Sequence, residues 1–205
     1  MLTLHHLRIG RSLFTVWLLE EVGAEYQLKE YHRNPKTMRA PPELQEIHPL
    51  GKSPVIEDDG LILSESGAIN SYVMERFDAD NKFHPSTDSL SDWATYQQWL
   101  AYPEGSVFAP LLIKMLALRS GVDHPVMTPF SDAEIKLHFD HISNQLGDNP
   151  FILGDTFSGA DFGIAYVVSM AEGLGQLSAY PTLAAYLKRI TSRDAFKRAV
   201  SKAVE

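Results

Sequence analysis

The chain has 205 residues, 44% of them hydrophobic, with a formal net charge of -8 at pH 7. Eight basic stand against twelve acidic residues over 1–78, and ten against fourteen over 79–205, with no clustered Lys/Arg patch, so neither nucleic acid nor an anionic membrane is expected as partner. There is no cysteine, which excludes disulfides, thiolate metal sites and cysteine nucleophiles: any thiol chemistry must use a thiol from outside the chain.

The first residues, MLTLHHLRIGRS, carry neither the apolar run nor the cleavage site of a secretory signal, and no segment reaches the ~20 apolar residues of a membrane span. A cytoplasmic location is therefore expected. LTLHHL alternates and reads as a strand, and RSLFTVWLLEEVG reads as a helix stopped by Gly23. EYQLKEYHR is a second strand, and the proline-rich NPKTMRAPPELQEIHPLG is loop with a short helix at Glu43 to Ile47. SPVIEDDGLILSE is a hairpin turning at Asp59-Gly60, followed by the helical spacing of Ile69, Val73 and Phe77. This order, βαβ then ββα with a proline entering the third strand, resembles the plan of a thioredoxin-like domain.

Residues 79–88, ADNKFHPSTD, are polar and read as a linker between a domain over 1–78 and an all-helical domain over 89–205. SLSDWATYQQWLAYPEGSVFAPLLIKMLALRSG is one kinked helix or two, interrupted at Pro103-Glu104-Gly105. Ser131 and Glu134 have capping-box spacing at the expected start of a helix that ends on Gly147, and Ser158 and Asp161 have a similar arrangement. The last helices begin near Pro181.

Ser53-Pro54 has two readings. It is an ordinary strand-entry proline, or a cis bond that turns the preceding backbone groups outward for an extended peptide ligand. In SES at 64–66, Ser64 or Ser66 can cap a helix whose first N–H groups suit a ligand carboxylate, with Glu65 beside it for an ammonium; a plain cap with an acidic first turn is the other reading. His5 and His6 are adjacent on a strand and point to opposite faces, so they do not share a ligand and are expected to be structural or site-lining. His138 and His141 are three apart without an evident third ligand, so a solvated helix face is expected rather than a metal site. Trp99, Tyr102, Phe108, Leu112 and Met115 form an apolar stripe, core by default, in which Tyr102 and Phe108 sit nearest the interruption and are candidate substrate-binding residues.

In combination these segments resemble the cytosolic glutathione S-transferases. LGKSPVIEDDGLILSESGAI matches that family's proline loop, hairpin and Glu-Ser helix start, WLLEEVGAEY its first helix end, and LGDTFSGADFGIAY its later capping box and hydrophobic staple. The resemblance implies a two-domain α+β fold, thioredoxin-like then all-α, and glutathione as co-substrate with no metal. It implies that the Ser53 backbone meets the cysteinyl part, Glu65 and Ser66 the γ-glutamyl end, and Lys52 and Arg39 the glycyl end. It further implies a homodimer.

The activating group departs from the family pattern, because LHHLRIGRSLF has no tyrosine or cysteine, and the serine position of some classes falls nearer Ile9 or Gly10 when aligned through WLLEE. Ser12 as hydroxyl donor is the expectation; Arg11 with helix N-terminal N–H groups is the alternative, and so is a Ser12 that only caps the helix. The function implied is addition of glutathione thiolate to small apolar electrophiles. Glutathione-dependent peroxide reduction or isomerisation, and a non-catalytic binding module, are the alternatives.

Overall fold

The structure is a computed structural model that describes residues 1–203. The chain divides into two compact units, Met1–Lys82 with the chain from Thr191, and Phe83–Ile190.

The first unit holds β1 (Leu2–Leu7), α1 (Ser12–Val22), β2 (Tyr26–Tyr31), α2 (Glu43–Ile47), β3 (Val55–Asp58), β4 (Leu61–Ser64) and α3 (Ser66–Phe77). The four strands form one mixed sheet in the order β2-β1-β3-β4, with β1 parallel to β2 and antiparallel to β3. This is the thioredoxin-like plan. As an inner strand, β1 is buried at five of its six positions, which explains why its apolar/polar alternation does not become an exposed face: His5 and His6 are both inside. α1 buries Val16, Trp17, Leu18 and Leu19 in succession, so it is covered all round, and Gly23 closes it at φ 69 with its N–H on the Leu19 carbonyl.

The cover of α1 includes α9 (Asp194–Lys202), which returns from the end of the chain. Phe196 meets Trp17 edge-on at 5.2 Å, Arg193 forks onto Glu21, and Arg198 and Lys202 bond Glu20. Burial alone raises the Glu20 pKa, but the bonds from Lys202, Tyr26 and Arg198 outweigh it and hold the carboxyl below its usual range. Residues 191 onward therefore pack with the first unit, where the sequence suggested one helical domain over 89–205. Amphipathic helices look alike in sequence whichever partner their apolar face finds.

The second unit contains α4 (Leu90–Tyr102), a π-helical turn over Pro103–Val107, α5 (Phe108–Ser120), α6 (Met127–Leu146), α7 (Gly159–Gly173), a 3-10 turn at Leu177–Ala179 and α8 (Pro181–Thr191). Pro103 supplies no N–H, and its carbonyl accepts from Phe108 five residues on, so the interruption is a π turn joining α4 to α5. Gly163 of α7 lets Pro103 come close: a Cβ there would sit 2.9 Å from Pro103 Cγ. The first turn of α7 is fixed by the expected capping box. Asp161 accepts from the Ser158 and Ile152 N–H groups at 2.9 and 3.0 Å and from the Tyr186 hydroxyl at 2.8 Å. Burial nonetheless pushes the Asp161 carboxyl up.

Two sequence expectations change in this unit. α6 begins at Met127, where His124 Nδ1 accepts from the Val126 and Met127 N–H groups; Ser131 is a buried helical residue donating to the Thr128 carbonyl, not a cap. Within the expected linker, Phe83 accepts the Gly159 N–H at 2.7 Å and its ring meets Phe157 edge-on, so the chain is already anchored there.

Candidate functional site

The strand register gathers the expected glutathione residues of the first unit at one end of the sheet. β1 and β2 run parallel and finish together at Leu7 and Tyr31, β3 enters at Val55 opposite His5, and β4 leaves at Ser64 opposite Val55. From that end emerge the turn Arg8 to Arg11, the loop after β2 that carries Arg39, the approach Lys52-Ser53-Pro54, and Glu65-Ser66. Chain ends of this kind, where loops leave the sheet, are where open α/β sheets receive ligands.

At the end of β1, Ser12 is 1% exposed. Its hydroxyl stands 3.2 Å from the Leu7 carbonyl and 2.8 Å from His6 Nδ1. The hydroxyl proton has two acceptors in reach, the Leu7 carbonyl and His6 Nδ1, and the tautomer of His6 decides which takes it; burial lowers the His6 pKa, which favours the neutral ring. His5 faces the other way, its Nδ1 2.8 Å from the Tyr31 hydroxyl and its pKa also lowered by burial. Arg11 precedes α1 as its N-cap and is half-buried.

The Ser53-Pro54 peptide is cis. The Ser53 hydroxyl donates to the His5 carbonyl at 2.7 Å and accepts from the Leu7 N–H at 3.1 Å, continuing the β1-β3 ladder by side chain where proline cannot donate. Gly51, at φ 56, delivers Lys52 and Ser53 to this point; a Cβ on it would lie 2.6 Å from Gln45 Cγ in the helix α2. Lys52 and Arg39 are exposed.

Glu65 is the N-cap of α3, at φ 73, and its side chain makes no capping bond and is exposed. Ser64 is not the cap either, since its hydroxyl lies 3.3 Å from His48 Nε2. A non-glycine residue in the left-handed region is held at an energetic cost, and such residues gather at functional sites. The exposed Glu65 carboxylate beside the first N–H groups of α3 offers an anion and a set of donors side by side, complementary to an ammonium and a carboxylate on one carbon.

In the second unit, Tyr102 is half-buried with its hydroxyl 2.7 Å from His138 Nδ1, and burial raises its pKa. His138 is not on a solvated face: its side chain is 14% exposed, its pKa is lowered by burial, and Glu134 stands 3.7 Å from Nε2. His141 stacks on Trp99 at 5.3 Å. Phe108 is half-buried and packs at 6.0 Å against Tyr166. Among the described residues no group of three or more His, Cys, Asp or Glu side chains can hold a metal ion, and no helix is long and apolar enough to cross a membrane.

Comparison with known proteins gives this geometry its context. The family model for the glutathione S-transferase N-terminal domain matches residues 1–75, and that for the C-terminal domain matches residues 129–189. Glutathione S-transferase 1 of Saccharomyces cerevisiae is 30% identical over 99% of this chain and 95% of its own length. The chain belongs to the glutathione S-transferase family. A solved glutathione S-transferase from Actinobacillus pleuropneumoniae superposes with a TM-score of 0.89 at 33% identity, covering 99% of this chain and 93% of that one. A sphingomonad glutathione S-transferase solved with glutathione shares the fold, with a TM-score of 0.80 at 20% identity over 98% of each chain. The enzyme class is thus glutathione S-transferase, on a thioredoxin-like sheet and a helical unit.

Proposed function

We propose that this glutathione S-transferase binds glutathione at the open end of the first unit's sheet and presents its sulfur, as thiolate, to small apolar electrophiles. The observation that carries the reading is the exposed, uncapping Glu65 at φ 73, at the same sheet end as Ser53 and the N-terminus of α1. In this reading Glu65 takes the γ-glutamyl ammonium, Ser66 and the first N–H groups of α3 its carboxylate, the Ser53 backbone the cysteinyl part, and Lys52 and Arg39 the glycyl carboxylate. Activation falls to the Arg11 guanidinium and the N-terminal N–H groups of α1, because the Ser12 hydroxyl is buried and engaged by the Leu7 carbonyl and His6 Nδ1. Tyr102 and Phe108 are assigned to the electrophile, as both are only half-buried. A cytoplasmic homodimer completes the proposal, supported by Leu61 and Ile62, which are exposed on the edge strand β4.

Calorimetry with Glu65→Gln tests the binding mode. Losing the charged partner of an ammonium removes about 1.5 to 3 kcal/mol, so affinity should fall roughly ten- to a hundredfold on a folded protein. Unchanged affinity removes Glu65 from the site. A screen of the wild-type enzyme against electrophiles and hydroperoxides then separates conjugation from peroxide reduction.

A further inference from the structure

We propose that Arg33 is a positioning residue whose guanidinium locks the β1-α1 turn to the loop after β2, and so fixes Arg11 and Arg39 in the geometry that receives glutathione. The proposal rests on the glutathione reading above for its ligand, and on the contacts of Arg33 for its mechanism.

Arg33 Nε donates to the carbonyls of Arg8 and Ile9, both at 3.1 Å, and Nη1 donates to the carbonyl of Met38 at 3.0 Å. Two of these three acceptors belong to residues in the left-handed region, Ile9 at φ 60 and Met38 at φ 57. A β-branched residue such as Ile9 is a steric outlier there, and the residue is 60% exposed. The same planar fork bonds both segments, a geometry that lysine cannot reproduce.

The fit is tight on the other side as well. Gly10 lies against the guanidinium, and a Cβ on it would stand 3.1 Å from Nη2. The second segment is itself a closed turn: Asn34 Oδ1 accepts from the Lys36 and Thr37 N–H groups, and the Asn34 N–H donates to the Arg39 carbonyl at 2.8 Å. Arg33 thus couples two preformed pieces. One leads through Gly10 to Arg11 and the N-terminus of α1, and the other ends on Arg39.

The test compares wild type, Arg33→Met and Arg33→Lys by three readouts: glutathione affinity by calorimetry, the pKa of the bound thiol by its ultraviolet thiolate absorbance, and amide hydrogen exchange of the ligand-free proteins. Both variants are expected to bind glutathione at least tenfold more weakly, to move the bound thiol pKa toward that of free glutathione, and to exchange faster together in residues 8–12 and 34–39. Should Arg33→Met fail to fold, Arg33→Lys carries the test. Wild-type affinity and exchange in Arg33→Lys, or loosening of only one of the two segments, overturns the proposal. A wild-type protein that does not bind glutathione overturns the glutathione reading alone, because exchange in the ligand-free proteins still decides whether Arg33 couples the two segments.

Discussion

Two neutral histidines buried in an inner strand make stability depend on pH in a direction that can be worked out. His5 and His6 have pKa values lowered by burial, whereas the unfolded chain protonates them below about 6.5. Between that value and the lowered folded values the unfolded state binds more protons, so stability falls as pH falls and is fully kept above it. Asp161, whose carboxyl is pushed up, works in the opposite sense at lower pH, so His6 is best isolated by a variant. His6→Asn keeps a neutral hydrogen-bonding side chain toward Ser12 and removes the titration. Urea unfolding between pH ~5 and ~6.5 should show the slope reduced by one proton, about 1.4 kcal/mol per pH unit at its steepest; an unchanged slope would mean that His6 is not protonated on unfolding in this range. At this scale the sequence spoke unevenly. Glu65, Ser66 and Ser53 stood in a contiguous motif, but the bonds from Ser12 to the Leu7 carbonyl and from Arg33 to the Ile9 carbonyl join residues 5 and 24 positions apart, which local spacing does not reveal.

The helix α9 against α1 is the clearest element-level consequence of tertiary pairing. Glu21, with its side chain 8% exposed, accepts from the Trp17 indole N–H at 2.9 Å and from the Arg193 fork, while Arg193 is 29% exposed. The pair is shielded enough for a charge-assisted bond to count, so Glu21→Gln should cost about 1.5 to 3 kcal/mol. Arg193→Met should cost at least as much, because it leaves a shielded carboxylate beside the Trp17 indole without its cationic partner. Urea midpoints of both variants check this, and losses below about 0.5 kcal/mol in both would mark the contact as an ordinary surface pair. The sequence carried the helix itself, with Asp194 in the first turn and Lys202 in the last, and its strongly sided apolar face. It did not carry the address of that face. The same limit explains α6, where the capping-box spacing of Ser131 and Glu134 arose inside a helix that His124 starts one turn earlier.

For the whole molecule, the change from period-two to helical patterning near residue 79 made the two-part architecture legible, as did the Asp59-Gly60 hairpin and the Gly23 stop. Hidden from the sequence was that the first unit is discontinuous, completed by residues from Thr191 onward. At the first unit's sheet end, Arg11 and the N-terminus of α1 are proposed to lower the glutathione thiol pKa in place of a hydroxyl. The most direct test is the thiolate absorbance of glutathione bound to wild type, Arg11→Ala and Ser12→Ala, followed against pH. A free thiol titrates near 8.5; bound to wild type it should titrate about one to two units lower. Arg11→Ala should lose most of that shift, whereas Ser12→Ala, though less stable, should keep it. A wild-type complex that titrates like free glutathione, or a shift lost in Ser12→Ala and kept in Arg11→Ala, would contradict the account.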